Sequence, residues 1–168
     1  MAAGVASMVN GGVYHQPTLI KRNEVPLGRR VISERTSKKL RKLLRLVVED
    51  GTGGRADVPG YLVGGKTGTA EKSGTSGYRR RALISSFIGA FPVDDPQYVV
   101  FAMLDEPKGT EKTHGFATGG WVAAPVVGKV VRHIGPLAGI HPYEDELPSV
   151  RRGLDTNPVP GKSKLASY

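Results

Sequence analysis

Gly64-Gly65-Lys66-Thr67-Gly68-Thr69-Ala70-Glu71-Lys72 is the stretch on which the reading of this chain turns. It follows Tyr61 and precedes a polar run, which suggests a strand over Tyr61 to Glu71. Adjacent side chains on a strand point to opposite faces. Lys66 and Thr67 can therefore serve one ligand only if it lies along the strand's edge. Main-chain groups on such an edge are open to a peptide that adds as a further strand. Lys66 is a fixed cation suited to a carboxylate, and Gly68 has no Cβ to keep a ligand backbone away. The Thr69 N–H can then face a developing oxyanion, where one donor is typically worth ~3–4 kcal/mol of barrier lowering. The tetrapeptide Lys66-Thr67-Gly68-Thr69 alone also fits an ordinary strand with a bulge.

Two more strands are expected downstream, Leu83 to Phe91 and Tyr98 to Leu104. Pro92-Val93-Asp94-Asp95-Pro96 between them suits a tight antiparallel turn. Lys72 to Arg81 reads as a polar loop. Upstream, residues 1–9 look like the end of a buried helix, stopped by Asn10-Gly11-Gly12. Val13 to Arg22 reads as extended and Asn23 to Arg30 as a loop. Ser33 is a good N-cap for a helix over 34–49. Its Leu40, Leu43, Leu44 and Val47 follow helical spacing on one face, with Arg35, Lys38, Lys42 and Arg45 mostly off it. Thr52 to Gly60 is a glycine-rich loop. A last helix is expected from about Trp121 to His133, with Pro125 bending its start. Residues 1–143 form the expected domain and 144–168 an expected mobile tail. The fold class is α/β (α+β), an antiparallel sheet flanked by helices. Tyr98 to Leu104 is apolar without alternation, which implies a strand covered on both faces. The helices here hardly suffice for that, so a further layer is expected.

Composition narrows the function. No cysteine is present, which excludes a disulfide framework, a thiolate metal site and a cysteine nucleophile. The net charge is +9, and between Lys21 and Arg45 ten basic residues face only Glu24 and Glu34. A solvated helix face explains that run. The rival is a non-catalytic module holding an anionic polymer. No aromatics are interleaved with the charges as in nucleic-acid binders, so no nucleic-acid partner is expected. No apolar run approaches the ~20 residues of a membrane helix, and the N-terminus lacks the basic start of an export signal. His15, His114, His133 and His141 lack ligand-like spacing, and no metal is expected. Trp121 reads as a packing anchor and Asp105-Glu106 as a strand-end turn. Ser85 and Ser86 lie mid-strand without a neighbouring base.

Five segments in one order resemble the class B penicillin-binding proteins of the cell-division type, which are peptidoglycan D,D-transpeptidases. They are Met1 to Gly12, Gly64 to Lys72, Ser86 to Pro92, Asp105 to Gly109, and Gly119 to Val126. Lys-Thr-Gly is a motif those proteins share with class A β-lactamases. A D,D-carboxypeptidase or a β-lactamase is the near alternative. The family's Ser-x-x-Lys, which supplies the acylated serine, and its Ser-x-Asn do not occur here. The resemblance thus implies a fragment, part of the penicillin-binding transpeptidase/β-lactamase-like fold, with no nucleophile and no catalysis of its own. It implies that Lys66 completes the cleft's hydrogen-bond network. Thr67 and Thr69 would bind a carboxylate beside Gly68, and the Thr69 N–H would form half of the oxyanion hole. The implied partners are stem peptides ending in D-Ala-D-Ala, β-lactams and membrane proteins of the division complex. No metal or organic cofactor is implied. The full-length enzyme would sit in the bacterial inner membrane with this domain in the periplasm.

Overall fold

The structure, a computed structural model, describes residues 1–24, 26–74 and 77–143. In chain order its elements are α1 (Ala2–Val9), β1 (Val13–Tyr14), β2 (Arg29–Arg30), α2 (Glu34–Glu49), β3 (Gly64–Gly74), β4 (Gly77–Phe91), β5 (Tyr98–Asp105), α3 (Gly119–Val122) and α4 (Ala124–Leu137). Short 3₁₀ turns occupy Gly54–Ala56 and Glu111–Thr113. β3, β4 and β5 form one antiparallel sheet in that order, with β4 in the centre. This is the expected α/β class with an antiparallel sheet and flanking helices.

Alternation along β4 decides where the core lies. Ser85, Phe87, Gly89 and Phe91 are all buried, and the pairing Phe87↔Ala102 and Gly89↔Val100 aligns β5 side chains on the same face. Against them pack Val48 from α2, Ala56 and Val58 from the loop after it, and Ala123, Ala124, Val127 and Val131 around α4. Phe87 is fully buried, so this face holds the interior.

The opposite face is thinner. Ile84, Ile88 and Phe101 are half-buried, and Met103 is 61% exposed. α1 touches β4 and β5, but its buried Val9 lies outside the core that α4 joins. The unbroken apolar run of β5 is thus covered well on one side only, whereas the sequence implied two covered faces.

Several boundaries differ from the sequence reading for identifiable reasons. Lys72 to Arg81 is no loop: the hairpin runs on through Lys72↔Arg79 and Gly74↔Gly77, past a register shift at Glu71/Lys72. Main-chain pairing needs no apolar residue, so the polar composition misled. Tyr61 to Val63 precede the strand and are packed into the interior. The expected loop at 23–30 contains β2, which pairs with β1 as a two-stranded ribbon. The last helix breaks at Ala123 into α3 and α4, with Pro125 in the first turn of α4. On α2, Ser33 caps as expected, its hydroxyl accepting from Thr36 N at 3.1 Å. The buried line, however, is Ser37, Arg45 and Val48, while Leu43 is 58% exposed. The expected tail at 144–168 lies outside the described residues.

Candidate functional site

β3 pairs with β4 on one side, and among the described residues no strand pairs with its other edge. Its opening, Gly64-Gly65, is buried because bare glycine lets neighbours approach. A Cβ at Gly64 would stand 3.2 Å from the Arg45 N of α2, and one at Gly65 would strike Phe87 and the carbonyl of Ile88. β3 emerges from that crowding at Lys66, which is exposed.

Period-two alternation then divides the predicted residues. Thr67 and Thr69 pair opposite Phe87 and Ser85 and share the interior-side face, whereas Lys66 and Gly68 pair opposite Ile88 and Ser86. Lys66 reaches over the strand, its ammonium donating to Thr67 O at 2.8 Å and to Thr67 Oγ1 at 3.3 Å. The Thr67 carbonyl therefore faces the open edge. In an antiparallel ladder residues two apart present their main-chain groups to the same side, so the Thr69 N–H faces that edge as well. Gly68 has an internal reason to be glycine: an added Cβ would sit 2.6 Å from Ser86 Oγ on β4.

The two threonine hydroxyls have partners. Thr69 Oγ1 accepts from Gly119 N at 3.0 Å, tying β3 to the first residue of α3. Gly119 is required there, since a Cβ would run into the carbonyl of Ser86. Thr67 Oγ1 lies 2.9 Å from Thr52 Oγ1. Each hydroxyl has one donor and two acceptor sites. Thr69, accepting from an amide, keeps its O–H to donate outward, and Thr67 does the same if Thr52 donates to it.

Around them is a groove of about 280 Å³ lined by Thr52, Arg55, Thr67, Thr69, Thr118, Trp121 and three glycines. The Arg55 guanidinium lies 3.4 Å from the centre of the Trp121 ring. Phe116 stacks on the same tryptophan at 5.2 Å, and His114 meets it edge-on at 5.5 Å. Sequence reasoning brought Lys66 to Thr69 together but missed Thr52 and Arg55, filed in a glycine-rich loop. Trp121, expected only to pack, is half-buried and lines the groove. Ser85 donates its buried hydroxyl to the Ala117 carbonyl, a structural bond under the same loop. Asp105 and Glu106 accept from Lys72 at 2.8 and 3.0 Å, as a strand-end clamp. Among the described residues no group of three or more His, Asp or Glu is placed to hold a metal ion, and no helix is long and apolar enough to cross a membrane.

Residues 1–132 match the family model described as the penicillin binding protein transpeptidase domain. The chain belongs to that family. A curated relative, the probable peptidoglycan D,D-transpeptidase FtsI of Caulobacter vibrioides, is 44% identical over 151 residues, which take in 83% of this chain and 26% of the relative. Among solved structures, the transpeptidase domain of Burkholderia pseudomallei penicillin-binding protein 3 superposes with a TM-score of 0.74 at 35% identity, covering 83% of this chain and 42% of that one. Penicillin-binding protein 3 of Mycobacterium tuberculosis, complexed with ampicillin, gives 0.75 at 27% identity, covering 88% and 36%. The likeness to class B penicillin-binding proteins of the cell-division type, read from five segments, is borne out. The chain spans about a quarter of that curated relative's length.

Proposed function

We propose that this chain is the substrate-gripping part of a peptidoglycan D,D-transpeptidase that cross-links cell wall during division. Its open β3 edge receives the C-terminal end of a D-Ala-D-Ala stem peptide, or a β-lactam in its place. The observation that carries the reading is one strand edge, unpaired among the described residues, that gathers a cation, two hydroxyls and an outward amide within four residues. Thr67 and Thr69 donate to the ligand's terminal carboxylate. Lys66, already bent over the edge, completes the hydrogen-bond network of the cleft. Gly68 keeps the strand flat between them. The Thr69 N–H supplies half of the oxyanion hole. Preorganised donors of this kind stabilise charge that develops only in the transition state.

The attacking group comes from outside this sequence, which contains no Ser-x-x-Lys and no Ser-x-Asn. In the complete enzyme a serine hydroxyl attacks the penultimate D-alanine carbonyl, its proton passes to a base, and D-alanine leaves as an amine. A neighbouring stem amine then takes the acyl group and regenerates the serine. No metal or organic cofactor enters this scheme. The site of action is the periplasm, with the enzyme anchored in the inner membrane among division proteins.

A titration of the isotope-labelled chain with diacetyl-L-Lys-D-Ala-D-Ala tests the reading. The amide signals of Thr67, Gly68 and Thr69 are expected to move together and saturably. The all-L peptide is expected to move them less. Shifts scattered over the basic face of α2 instead, falling steeply with salt, would establish the anionic-polymer module.

A further inference from the structure

We propose that Arg55, stacked on Trp121, is the specificity-determining residue of the groove. Its guanidinium supplies the counter-charge to the ligand's free terminal carboxylate, so the site selects acids over amides and esters. This rests on the reading that Thr67 and Thr69 hold that carboxylate.

The groove into which both threonine hydroxyls project is lined by Thr52, Thr118 and Trp121 and, among the described residues, by Arg55 as its sole charge. Lys66, the cation that the sequence offers first, is not among the lining residues. It is rooted on the other face of β3, and its ammonium, bent over the strand, is committed to the edge by its bonds to Thr67. Hydroxyls alone discriminate weakly between a carboxylate and an amide, because each accepts hydrogen bonds. A cation opposite them discriminates strongly, since charge-assisted hydrogen bonds are roughly twice as strong as neutral ones.

Arg55 is built for that task. It stands in the 3₁₀ turn Gly54–Ala56, and the next residue, Ala56, is fully buried and pins the turn. The central carbon of the guanidinium lies over the Trp121 ring, 3.4 Å from its centre, and that ring is in turn packed by Phe116 and His114. Stacking uses the face of the guanidinium and leaves its in-plane N–H fork free to meet a carboxylate. Among the described residues Arg55 has no ion pair with Asp or Glu. A preorganised fork loses little rotamer freedom when it binds.

The test uses the full chain and two probes, acetyl-D-Ala-D-Ala and its C-terminal amide, at fixed ionic strength. Affinity is read from the Thr67–Thr69 amide signals. Emission of Trp121, the single tryptophan, reports on the guanidinium beside it. In the unaltered chain the acid is expected to bind about tenfold tighter than the amide, about 1.4 kcal/mol. Arg55→Gln is expected to reduce that preference to near unity by weakening acid binding far more than amide binding. Arg55→Lys, which keeps charge but not the fork, should fall between. Lys38→Gln, an equal loss of charge on the outer face of α2, should preserve the tenfold preference. If Arg55→Gln keeps the full preference for the acid, the inference is overturned although the stem-peptide reading survives. If neither probe moves the Thr67–Thr69 signals, the stem-peptide reading falls. In that case an acetate titration that quenches Trp121 only when Arg55 is present retains the anion subsite, and absence of such quenching removes it.

Discussion

Arg45 sits on α2 among solvated cations, yet it is only 8% exposed. Its guanidinium donates to Asp57 Oδ1 at 2.8 Å, to Glu49 Oε1 at 2.9 Å and to the Val63 carbonyl at 2.9 Å. Val63 leads directly into Gly64, so this one side chain ties α2 to the start of β3 and thereby to Lys66. Helical spacing placed Arg45 with the outward charges. It did not show that bare Gly64 draws the helix close enough to bury its cationic side. Arg45→Met is expected to lower unfolding free energy by about 2 kcal/mol, below the ~3–5 kcal/mol of a fully buried broken pair because Asp57 and Glu49 can rehydrate. Urea denaturation measures it, and a loss under ~0.5 kcal/mol, the scale of an ordinary surface change, would show Arg45 to be a surface residue after all. Gly119 makes the complementary point for α3. Its added Cβ would meet the carbonyls of Ser86 and Gly68, which no rotamer change relieves. Gly119→Ala should therefore move α3 away, break the Gly119 N to Thr69 Oγ1 bond and cost about 1–3 kcal/mol. A change in the Thr69 and Gly119 amide shifts should accompany it; an unchanged spectrum of β3 would contradict the coupling.

Between elements, the hairpin of β3 and β4 is held at its polar end by charge rather than by packing. Lys72, just past the register shift, donates to Asp105 at 2.8 Å and to Glu106 at 3.0 Å, joining β3 to the end of β5 across β4. Arg79 approaches Glu106 at 3.4 Å from the other arm of the hairpin. The hydrogen bonds to Asp105 and then Glu106 raise the Lys72 pKa above its ordinary value. A raised folded-state value means that the clamp is fully present below the unfolded lysine pKa of about 10.4 and is lost as pH climbs through the higher folded value. The difference in urea midpoint between the unaltered chain and Lys72→Met should accordingly hold steady from neutral pH up to the unfolded lysine value and fall away as pH climbs through the higher folded one. A difference that persists undiminished would assign the effect to the lysine stem and not to its charge. The same hairpin marks what the sequence could reveal. Leu83 to Phe91 was legible as a strand, and the Pro92–Pro96 turn joined it to its partner. Nothing apolar marks Lys72 to Gly74, where only main-chain pairing and these ion pairs extend the strands. β1 and β2 are too short, at two residues each, to carry a pattern. Lys66 to Thr69 were legible because they are contiguous. Thr52, Arg55 and Trp121 stand 12 or more positions from Thr67 in sequence, and only the packing of α3 and the loop against β3 unites them in the same groove.

On the scale of the whole molecule the sheet is asymmetric. One face is sealed by α4, whose Val127 and Val131 are fully buried with Phe87 and Phe91. The other carries Ile84, Ile88, Phe101 and Met103, half-covered or open, beside an α1 whose Met8 is itself 46% exposed. Contiguous exposed apolar surface of this kind favours association, because burying it releases roughly 25 cal/mol for each Å² removed from water. Studied alone, the chain is expected to self-associate through it as concentration rises. The net charge of +9 opposes that association at low salt and does so less at high salt, where repulsion is screened. Sedimentation velocity should therefore show larger species growing with both protein and salt concentration. Met103→Lys, which places a charge at the most open point of the patch, should return the chain toward monomer without altering the fold, since that side chain is 61% exposed already. A chain that stays monomeric at high concentration and high salt, or one whose association ignores Met103→Lys, would mean that this face is closed in solution and that the sheet is sealed on both sides.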